Sequence, residues 1–313
     1  MCTTNSLCLT PGNEHMFDDY AELYNAVSSF DNPSHLDLSG DFFESLYSSA
    51  TFNLKHDTVL VRNSDSHLIG SGLVHRQSTS DNARITIQIH PEFRRQGIGS
   101  NILEYFLQDS LNQSGIEIHC RIFNFRPYSI AFANHHGFTH NHTWVKMQFN
   151  NTARTYPTCI PRGFRIRALN IKHELELWAY LQNRIFAFSP HYESVSVESL
   201  KTLIQNNKFD LNLVVVGELG NTPIGMCMGW SALSSNDSKM EKILQIQGLG
   251  VLPEYRREGY ATVLLLDLIN RGYLKGNTKS ELLVLSTNNN AMTMYNKIGF
   301  TEEYRHLWYS RKI

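Results

Sequence analysis

Two short segments combine arginine and glycine in a pattern suited to binding an anion. "HPEFRRQGIGS" covers residues 90–100 and "LPEYRREGYAT" covers residues 252–262. A helix that starts after such a turn offers unpaired backbone N–H groups and the positive end of its dipole. Glycine lets the backbone approach an anion, and arginine forms fork-shaped, charge-assisted bonds to phosphate. Each segment predicts a diphosphate cradle, although neither has the Gly-Lys-Ser/Thr ending of a nucleotide-binding P-loop.

The two segments belong to an internal repeat. Their matching residues are separated by 162 positions (253 minus 91), as are Phe138 and Phe300 in the Gly-Phe pairs that follow. The apolar positions in between keep the same spacing, for example Ile102 with Leu264. Because chance matches do not hold one offset over so long a stretch, the chain is predicted to contain two copies of one domain.

The spacing loosens upstream of the cradles. Gly70 in "HLIGSGLV" matches Gly225 in "TPIGMCMGW" at an offset of 155, so the second copy has seven extra residues before its cradle (162 minus 155). The polar stretch "SSNDSKMEK" is their expected place. The segment from Asn150 to Gly163 is polar, has two prolines and lacks periodicity, which predicts a join between domains 1–152 and 164–313.

The helices and strands that would position the second cradle are predicted to follow an α/β pattern. Leu175, Trp178 and Ile185 share one face of a predicted helix. Two apolar runs separated by "GNTP" predict a hairpin, and Ala261–Leu274 predicts the helix after the cradle. The expected order is ααβββαβαβ, a sheet layered with helices. The first copy repeats this order, with "FDDYAELYNAVSSF" as its first helix.

Composition excludes several classes of protein. The 313 residues suffice for two domains, and a net charge of −1 gives no reason to expect nucleic acid or an anionic membrane as a partner. Five scattered cysteines with no CxxC pair argue for a reducing cytoplasm. The N-terminal stretch lacks the features of a signal peptide, and no run is long enough to span a membrane. A cytoplasmic protein is therefore expected.

The combination of motifs resembles a known family. The "V-x-P-x-Y-R-R-x-G-Y-A" loop, a long helix, a strand and "N-x-x-A-x-x-x-Y-x-x-x-G-F" look like the GNAT superfamily of acyl-CoA-dependent N-acetyltransferases. The resemblance covers most of residues 165–313 and, more weakly, 15–150. It implies two tandem GNAT-like domains, each with a mixed, mostly antiparallel central sheet flanked by helices. The tandem arrangement is similar to that of mycothiol synthase, from which only the architecture is carried over.

The resemblance also implies where acetyl-CoA would bind. The cradle would hold the pyrophosphate, chiefly through backbone N–H groups, and the end of the preceding strand would splay from its neighbour and align the thioester. In the second copy the implied contacts are Leu249, Gly250, Val251, Arg256, Arg257, Glu258, Gly259, Tyr260, Ala261 and Asn288. In the first copy the possible second CoA site comprises Ile87, Ile89, Arg94, Arg95, Gln96, Gly97, Ile98 and Gly99.

By the same resemblance, Tyr295 is the expected general acid. Attack by an amine in a ternary complex builds negative charge on the thioester oxygen and then releases a thiolate. Tyr295 stands four residues before Gly299 and could protonate that thiolate. The alternative is that Tyr295 only packs a helix face.

No residue clearly serves as the general base. The strand before the second cradle offers Gln245 and Gln247, which cannot act as bases, and Glu241 further back. A water chain, His191 or Glu193 remains as a candidate. The last two lie in a segment that matches the family's substrate-gripping loop.

The first copy keeps the cradle but lacks the acid. Ala133 stands where the offset places Tyr295, and Arg126 stands where it places Asn288. Phe132 has no proton to give, and Asn124 and Tyr128 are out of register. The first copy is predicted to be non-catalytic, either as a second CoA site or as a structural half.

A histidine-rich segment and Cys227 are predicted to have structural roles. The histidines of "NHHGFTHNHTW", which are His135, His136, His140 and His142, have no interleaved cysteine or carboxylate. A solvated turn is favoured there over a metal site, and no metal is expected. Cys227 in an apolar strand is expected to be a buried small hydrophobe rather than a nucleophile.

The predicted activity is acetyl transfer from acetyl-CoA to a primary amine. The acceptor is a small molecule or a peptide of unknown identity. One alternative is a non-catalytic, acyl-CoA-responsive binding protein, and another is an acyltransferase that uses a longer acyl-CoA. A monomer is slightly preferred, because tandem fusion could replace a dimer.

Overall fold

A computed structural model describes most of the chain. The described residues are 8–32, 35, 37–47, 52–76, 82–108, 115–151, 160–189, 192–205, 211–236 and 239–313. Most of the expected join, together with His191, lies outside them. Within them, no helix is both long enough and apolar enough to cross a membrane.

The chain forms two compact units. The first extends to Trp144 and also takes Tyr304–Ile313, and the second is Val145–Glu303. The expected boundaries 1–152 and 164–313 follow the sequence copies and remain a prediction for the domains. The compact units differ from them because the last strand packs within the first unit, where Tyr309 belongs to the buried core.

The first sequence copy contains six strands and five helices among its described residues. They are β1 (Leu9–Pro11), α1 (Phe17–Asp31), α2 (Gly40–Tyr47), α3 (Leu54–Asp57), β2 (Thr58–Arg62), β3 (Leu68–Arg76), β4 (Asn82–Ile89), α4 (Ile98–Gln108), β5 (Glu117–Phe123), α5 (Pro127–His135) and β6 (Thr139–Asn150). A 3₁₀ turn, Pro91–Phe93, stands between β4 and α4.

The second copy follows the same plan. Its elements are β7 (Phe164–Ala168), α6 (Leu175–Phe186), α7 (Val197–Gln205), β8 (Val214–Leu219), β9 (Thr222–Asn236), β10 (Lys239–Val251), α8 (Tyr260–Leu274), β11 (Lys279–Leu285), α9 (Asn289–Ile298) and β12 (Thr301–Lys312). A 3₁₀ turn again precedes the long helix, at Pro253–Tyr255.

Each unit has a mixed, mostly antiparallel sheet flanked by helices, which confirms the expected fold class. In the first unit the strand order is β1-β2-β3-β4-β5-β12-β6, and in the second it is β6-β11-β10-β9-β8-β7. The antiparallel pairs include β2–β3, β3–β4, β8–β9 and β9–β10. The parallel pairs are β4–β5 and β10–β11, the two strands that bracket each cradle and its helix.

Burial explains why the periodic segments fold as predicted. On α6, Trp178, Leu181 and Ile185 are buried and pack on the strand residues of β8 and β9. On α8 the apolar residues Leu264, Leu265 and Leu268 are fully buried against the other face of the sheet. The predicted "GNTP" hairpin is confirmed as β8–β9, which turns at Gly220 with a positive φ of 60°.

Two strands were not predicted, and the insertion was placed correctly. The strands β1 and β7 are only three and five residues long and gave no sustained alternation. The extra residues of the second copy lengthen β9 and β10 to 15 and 13 residues, against 9 and 8 in β3 and β4. A bulge between Ile246 and Gly248 adds to this difference.

Candidate functional site

The two cradles have the same backbone geometry. Arg95 and Arg257 both adopt a positive φ, at 65° and 71°, although neither is glycine. Gly97 and Gly259 follow at 81° and 84°. Gly259 caps α8 without any side-chain hydrogen bond. Alternating left-handed residues turn successive N–H groups toward one concave side, which is an arrangement that binds anions.

The first arginine of each pair holds the cradle onto the preceding strand. Arg256 Nε donates to Val251 O at 3.0 Å, and its Nη2 donates to Ile185 O at 3.0 Å. Arg94 Nε donates to Ile89 O at 3.3 Å, and Arg94 also pairs with Asp31 at 3.3 Å. These guanidinium groups are therefore engaged with the protein, and any phosphate contact falls mainly to the backbone.

The strand before the second cradle splays from its parallel neighbour, as expected. The β10–β11 register runs from Ile243 to Ile246. Leu249, Gly250 and Val251 continue β10 and pair with β9 on the other side. Their edge toward β11 lies beyond the parallel pairing found among the described residues. A gap of this kind exposes backbone N–H and C=O groups to a ligand.

Tyr295 lies beside this splay and is buried. Its side chain belongs to the same core cluster as Cys227, and Cys227 is the cross-strand partner of Leu249. Burial raises the pKa of the Tyr295 hydroxyl, and Cys227 raises it further. The hydroxyl therefore stays protonated at neutral pH, as a proton donor must.

The helix that carries Tyr295 is fixed at both ends. Asn288 caps α9, its side-chain oxygen accepting from the N–H of Ala291 at 3.2 Å. Gly299 ends the helix with a positive φ of 108°, and its N–H bonds back to Tyr295 O at 3.1 Å. Asn288 thus has a structural contact in addition to its expected contact with CoA.

The side chains weighed for the general base differ in their contacts. Gln245 Oε1 accepts from Trp230 Nε1 at 3.0 Å, and Glu241 pairs with Lys279 at 3.5 Å. Glu193 is exposed. Sequence analysis missed Glu281, a buried carboxylate that pairs with Lys146 at 2.9 Å.

A cavity of about 860 Å³ lies in the first unit, around its own cradle. It includes all the residues named for the possible second CoA site except Gln96, as well as Gln88, Cys120 and Arg121. The β4–β5 pairing covers only Asn82–Arg84, so β4 splays here too. Gln88 and Arg121 were missed, because nothing in the sequence indicates which side chains border a gap between strands.

In the second unit, side chains of α6 occupy the space that corresponds to the Gln88 side chain. Gly250 matches Gln88 at the offset of 162. A Cβ on Gly250 would overlap Cγ2 of Ile185 and would lie 3.7 Å from the Phe186 ring. The close approach of α6 therefore depends on glycine here.

The histidine and cysteine residues have local contacts. His136 Nε2 lies 3.0 Å from Ser100 Oγ, and His140 Nε2 lies 2.9 Å from Thr143 Oγ1. His142 stacks on Trp308. Across the described ranges, no group of three or more His, Cys, Asp or Glu residues is arranged to hold a metal ion. Cys227 is fully buried, as expected.

Comparison with known proteins identifies the family. The pattern of the Acetyltransferase (GNAT) family matches residues 17–138 and again residues 177–300. The chain therefore belongs to the GNAT family and is an acyltransferase with two tandem GNAT domains.

Relatives and solved structures agree with this assignment. A mycothiol acetyltransferase of Thermobispora bispora is 26% identical over 214 residues, 68% of this chain and 70% of that protein. A GCN5-related N-acetyltransferase from Sphaerobacter thermophilus superposes with a TM-score of 0.81 at 17% identity, covering 98% of this chain and 96% of that one. A tandem GNAT protein from the clavulanic acid biosynthesis pathway gives 0.73 at 13%, with 98% of each chain covered.

Proposed function

We propose that this protein transfers an acetyl group from acetyl-CoA to a primary amine, and that the second copy carries the reaction. The observation that supports this most directly is the place of Tyr295. Its buried hydroxyl lies beside Cys227, across from Leu249, where β10 has left β11. The amine belongs to a small molecule or a peptide.

The cradle fits the diphosphate of the cosubstrate. A Cβ built on Gly259 meets nothing within 4 Å, so the space beside this residue is open. Arg257, Glu258, Gly259, Tyr260 and Ala261 would contribute backbone N–H groups, because the first turn of a helix leaves such groups unpaired. Arg256 would hold this loop against the strand.

The backbone of β10 would position the thioester. Leu249, Gly250 and Val251 have lost their parallel neighbour. The N–H of Leu252 donates to Ile224 O on β9, and N–H groups alternate along a strand, so the N–H groups of Leu249 and Val251 face the open side. They can donate to the thioester carbonyl and to the amide oxygens of the pantetheine arm. Acetyl-CoA supplies the activated acyl carbon. An N–H placed in advance at the carbonyl oxygen stabilises the negative charge that develops there.

Tyr295 would then protonate the leaving group. The amine nitrogen forms its bond to the acyl carbon, the carbon–sulfur bond breaks, and the hydroxyl proton passes to the sulfur. The amine's own proton leaves through a water chain, since the side chains of Gln245 and Gln247 cannot accept it. A cytoplasmic location and a monomeric state complete the proposal.

Calorimetric titration with acetyl-CoA tests the cradle. The Gly259→Val variant forces a branched side chain into a backbone conformation with φ of 84°. We expect it to abolish binding at the second copy. Gly276→Val is a matched control, because Gly276 has a φ of 85°, has nothing near its Cβ and lies outside the cradle. Gly97→Val reports on the first copy.

Turnover is measured as CoA thiol release with a panel of acceptors: an aminoglycoside-type amine, an amino acid, a polyamine and a peptide with a free N-terminus. Release that depends on both acceptor and Gly259 supports the proposal. Absence of both acetyl-CoA binding and thiol release in the wild-type protein would overturn it.

A further inference from the structure

The cavity of the first unit passes through the gap between β4 and β5. Ile85, Ile87 and Ile122 pack with α4 on one face of the sheet. Because side chains alternate between faces along a strand, Gln88 and Arg121 face the opposite side. All five residues border the same cavity. One end of the cavity therefore meets the cradle, and the other end meets Gln88 and Arg121 on the α1 side.

The α1 end of the cavity is rich in positive charge. Asp31 pairs with Arg94 at 3.3 Å and with Arg126 at 2.9 Å, so one carboxylate serves two guanidinium groups. Arg121 lies 5.9 Å from the centre of the Phe123 ring, which Arg126 approaches to 5.1 Å.

Arg121 has no acidic partner of its own. Among the described residues, neither Arg121 nor Arg84 forms an ion pair with a carboxylate. The Arg121 side chain borders the cavity and is also exposed to solvent. Partial desolvation lowers the pKa of its guanidinium, and the charge of Arg84 lowers it further. A cation held among other cations in a cavity gains from an anionic ligand.

Gln88 adds a polar group without a protein partner. It is 6% exposed, and its Oε1 forms no hydrogen bond with any described residue. A buried acceptor of this kind needs an N–H or O–H donor from something else. The amide groups of a pantetheine arm are such donors.

The second copy keeps the arginine that matches Arg94, but it has no basic residue at the position of Arg121 and no side-chain amide at that of Gln88. The offset of 162 places Leu283 opposite Arg121 and Gly250 opposite Gln88. The parallel registers place Gln245 at the position of Arg84, since Arg84 pairs with His119 and Gln245 with Glu281. The positive charge of Arg84 and Arg121 is therefore particular to the first copy and is not required by the fold.

We propose that the first-unit cavity binds a CoA thioester whose acyl group ends in a carboxylate, with that carboxylate on Arg121. The inference rests on the proposed binding of CoA at the cradles. The cradle holds the diphosphate, the acyl chain passes between β4 and β5, and Gln88 accepts from an amide of the arm. No acyl transfer is assigned to this site, because Ala133 replaces the acid.

The test compares succinyl-CoA with butyryl-CoA, which has the same four-carbon chain and no carboxylate. Calorimetric titrations use wild-type protein, Arg121→Gln and Leu283→Gln. The last is a matched control, because Leu283 is the exposed equivalent in the second copy. We expect wild type and Leu283→Gln to bind succinyl-CoA about tenfold more tightly than butyryl-CoA, as for a hydrogen bond to a charged group. Arg121→Gln should remove the difference.

Each outcome has a distinct meaning. If no CoA species binds, the proposed function fails and the inference fails with it. If CoA and butyryl-CoA bind but succinyl-CoA has no advantage, or if Arg121→Gln keeps the advantage, the inference alone is overturned. Should Arg121→Gln fail to fold, Arg121→Lys retains the charge without the fork. That variant should keep only part of the preference, and an unchanged preference would contradict the role of the guanidinium.

Discussion

Tyr295 combines a reactive hydroxyl with an almost wholly apolar setting. Its ring packs 5.7 Å from that of Phe300, within the core cluster of the second unit. Substitution by phenylalanine keeps this packing and removes only the hydroxyl. We therefore expect Tyr295→Phe to retain its melting temperature and its affinity for acetyl-CoA while kcat falls about a hundredfold or more. An unchanged kcat in the thiol-release assay would remove the residue from the mechanism.

The same residue sets an expectation for pH dependence. An acid must be protonated to act, and Tyr295 is protonated below its pKa. Burial raises that pKa above the ordinary tyrosine value. Deprotonation of Tyr295 should therefore reduce kcat only at pH values above about 10. A kcat profile that falls between pH 8 and 9 in wild type but not in Tyr295→Phe would contradict the raised pKa of Tyr295.

At this scale the sequence revealed one copy better than the other. The second cradle was predicted from residue types and spacing, and Tyr295 and Asn288 from the resemblance to the GNAT family; their roles stay predictions. Arg121 and Gln88 could not be found in this way. Each occupies an ordinary strand position, and its importance comes from a gap between strands that depends on where the parallel pairing stops.

Among the secondary-structure elements, α6 approaches β10 closely at Gly250. Gly250→Ala places a methyl group against Ile185, whose branched side chain has few alternative rotamers in a helix. We expect destabilisation of about 1–3 kcal/mol in urea unfolding. Gly248→Ala is the control. Its Cβ would lie 3.3 Å from Cγ of Met228, a flexible side chain, and its effect should be smaller. Equal losses would show that α6 can move aside.

The strands β7 and β8 are joined to α6 by a charge network. Arg167 Nη1 donates to Glu174 Oε2 at 2.7 Å, and Arg167 Nε donates to the buried Glu218 at 2.9 Å. We expect Arg167→Ala to lower the free energy of unfolding by about 2 kcal/mol at pH 7, since it leaves Glu218 with less compensation.

That difference should shrink in acid. The hydrogen bond from Arg167 lowers the pKa of Glu174 from its ordinary 4.5. A depressed carboxyl pKa stabilises the fold above the unfolded value, and the effect is lost as the pH falls through the folded value. The difference between wild type and Arg167→Ala should therefore begin to shrink below about pH 4.5, and the contribution of Glu174 is lost once the pH is below its folded pKa. A constant difference down to pH 3 would contradict this linkage.

At the scale of the whole molecule, the first compact unit contains most of β12, which belongs to the second sequence copy. We therefore expect that cutting the chain at the join does not give two parts that each fold alone. In the first unit β12 pairs with β5 from His306↔Phe123 to Lys312↔Glu117. We expect residues 1–152 alone to aggregate or to lack a cooperative unfolding transition. The same segment fused through a flexible linker to residues 301–313 should regain that transition. A stable, monomeric 1–152 fragment would contradict the structural role of β12.

The repeat and the fold class followed from the sequence, because a constant offset and alternating periodicities survive in one chain. The membership of β12 in the first unit did not. The strands β6 and β12 have the same residue pattern and follow equivalent helices. Periodicity therefore cannot specify which of them pairs with β5 and which with β11. That choice is made by side chains far apart in sequence, such as Asn124, whose Oδ1 accepts from the N–H of Arg305 at 2.8 Å.

The pairing of β5 with β12 also has a consequence for biosynthesis. The first unit needs residues that the ribosome adds much later, since 181 positions separate Asn124 from Arg305. At ordinary translation rates this interval lasts roughly ten to forty seconds. Throughout that time the edge of β5 that pairs with β12 lacks a partner strand, and unpaired edges promote aggregation. The first unit thus completes its folding only once the second copy has been synthesised, instead of ahead of it.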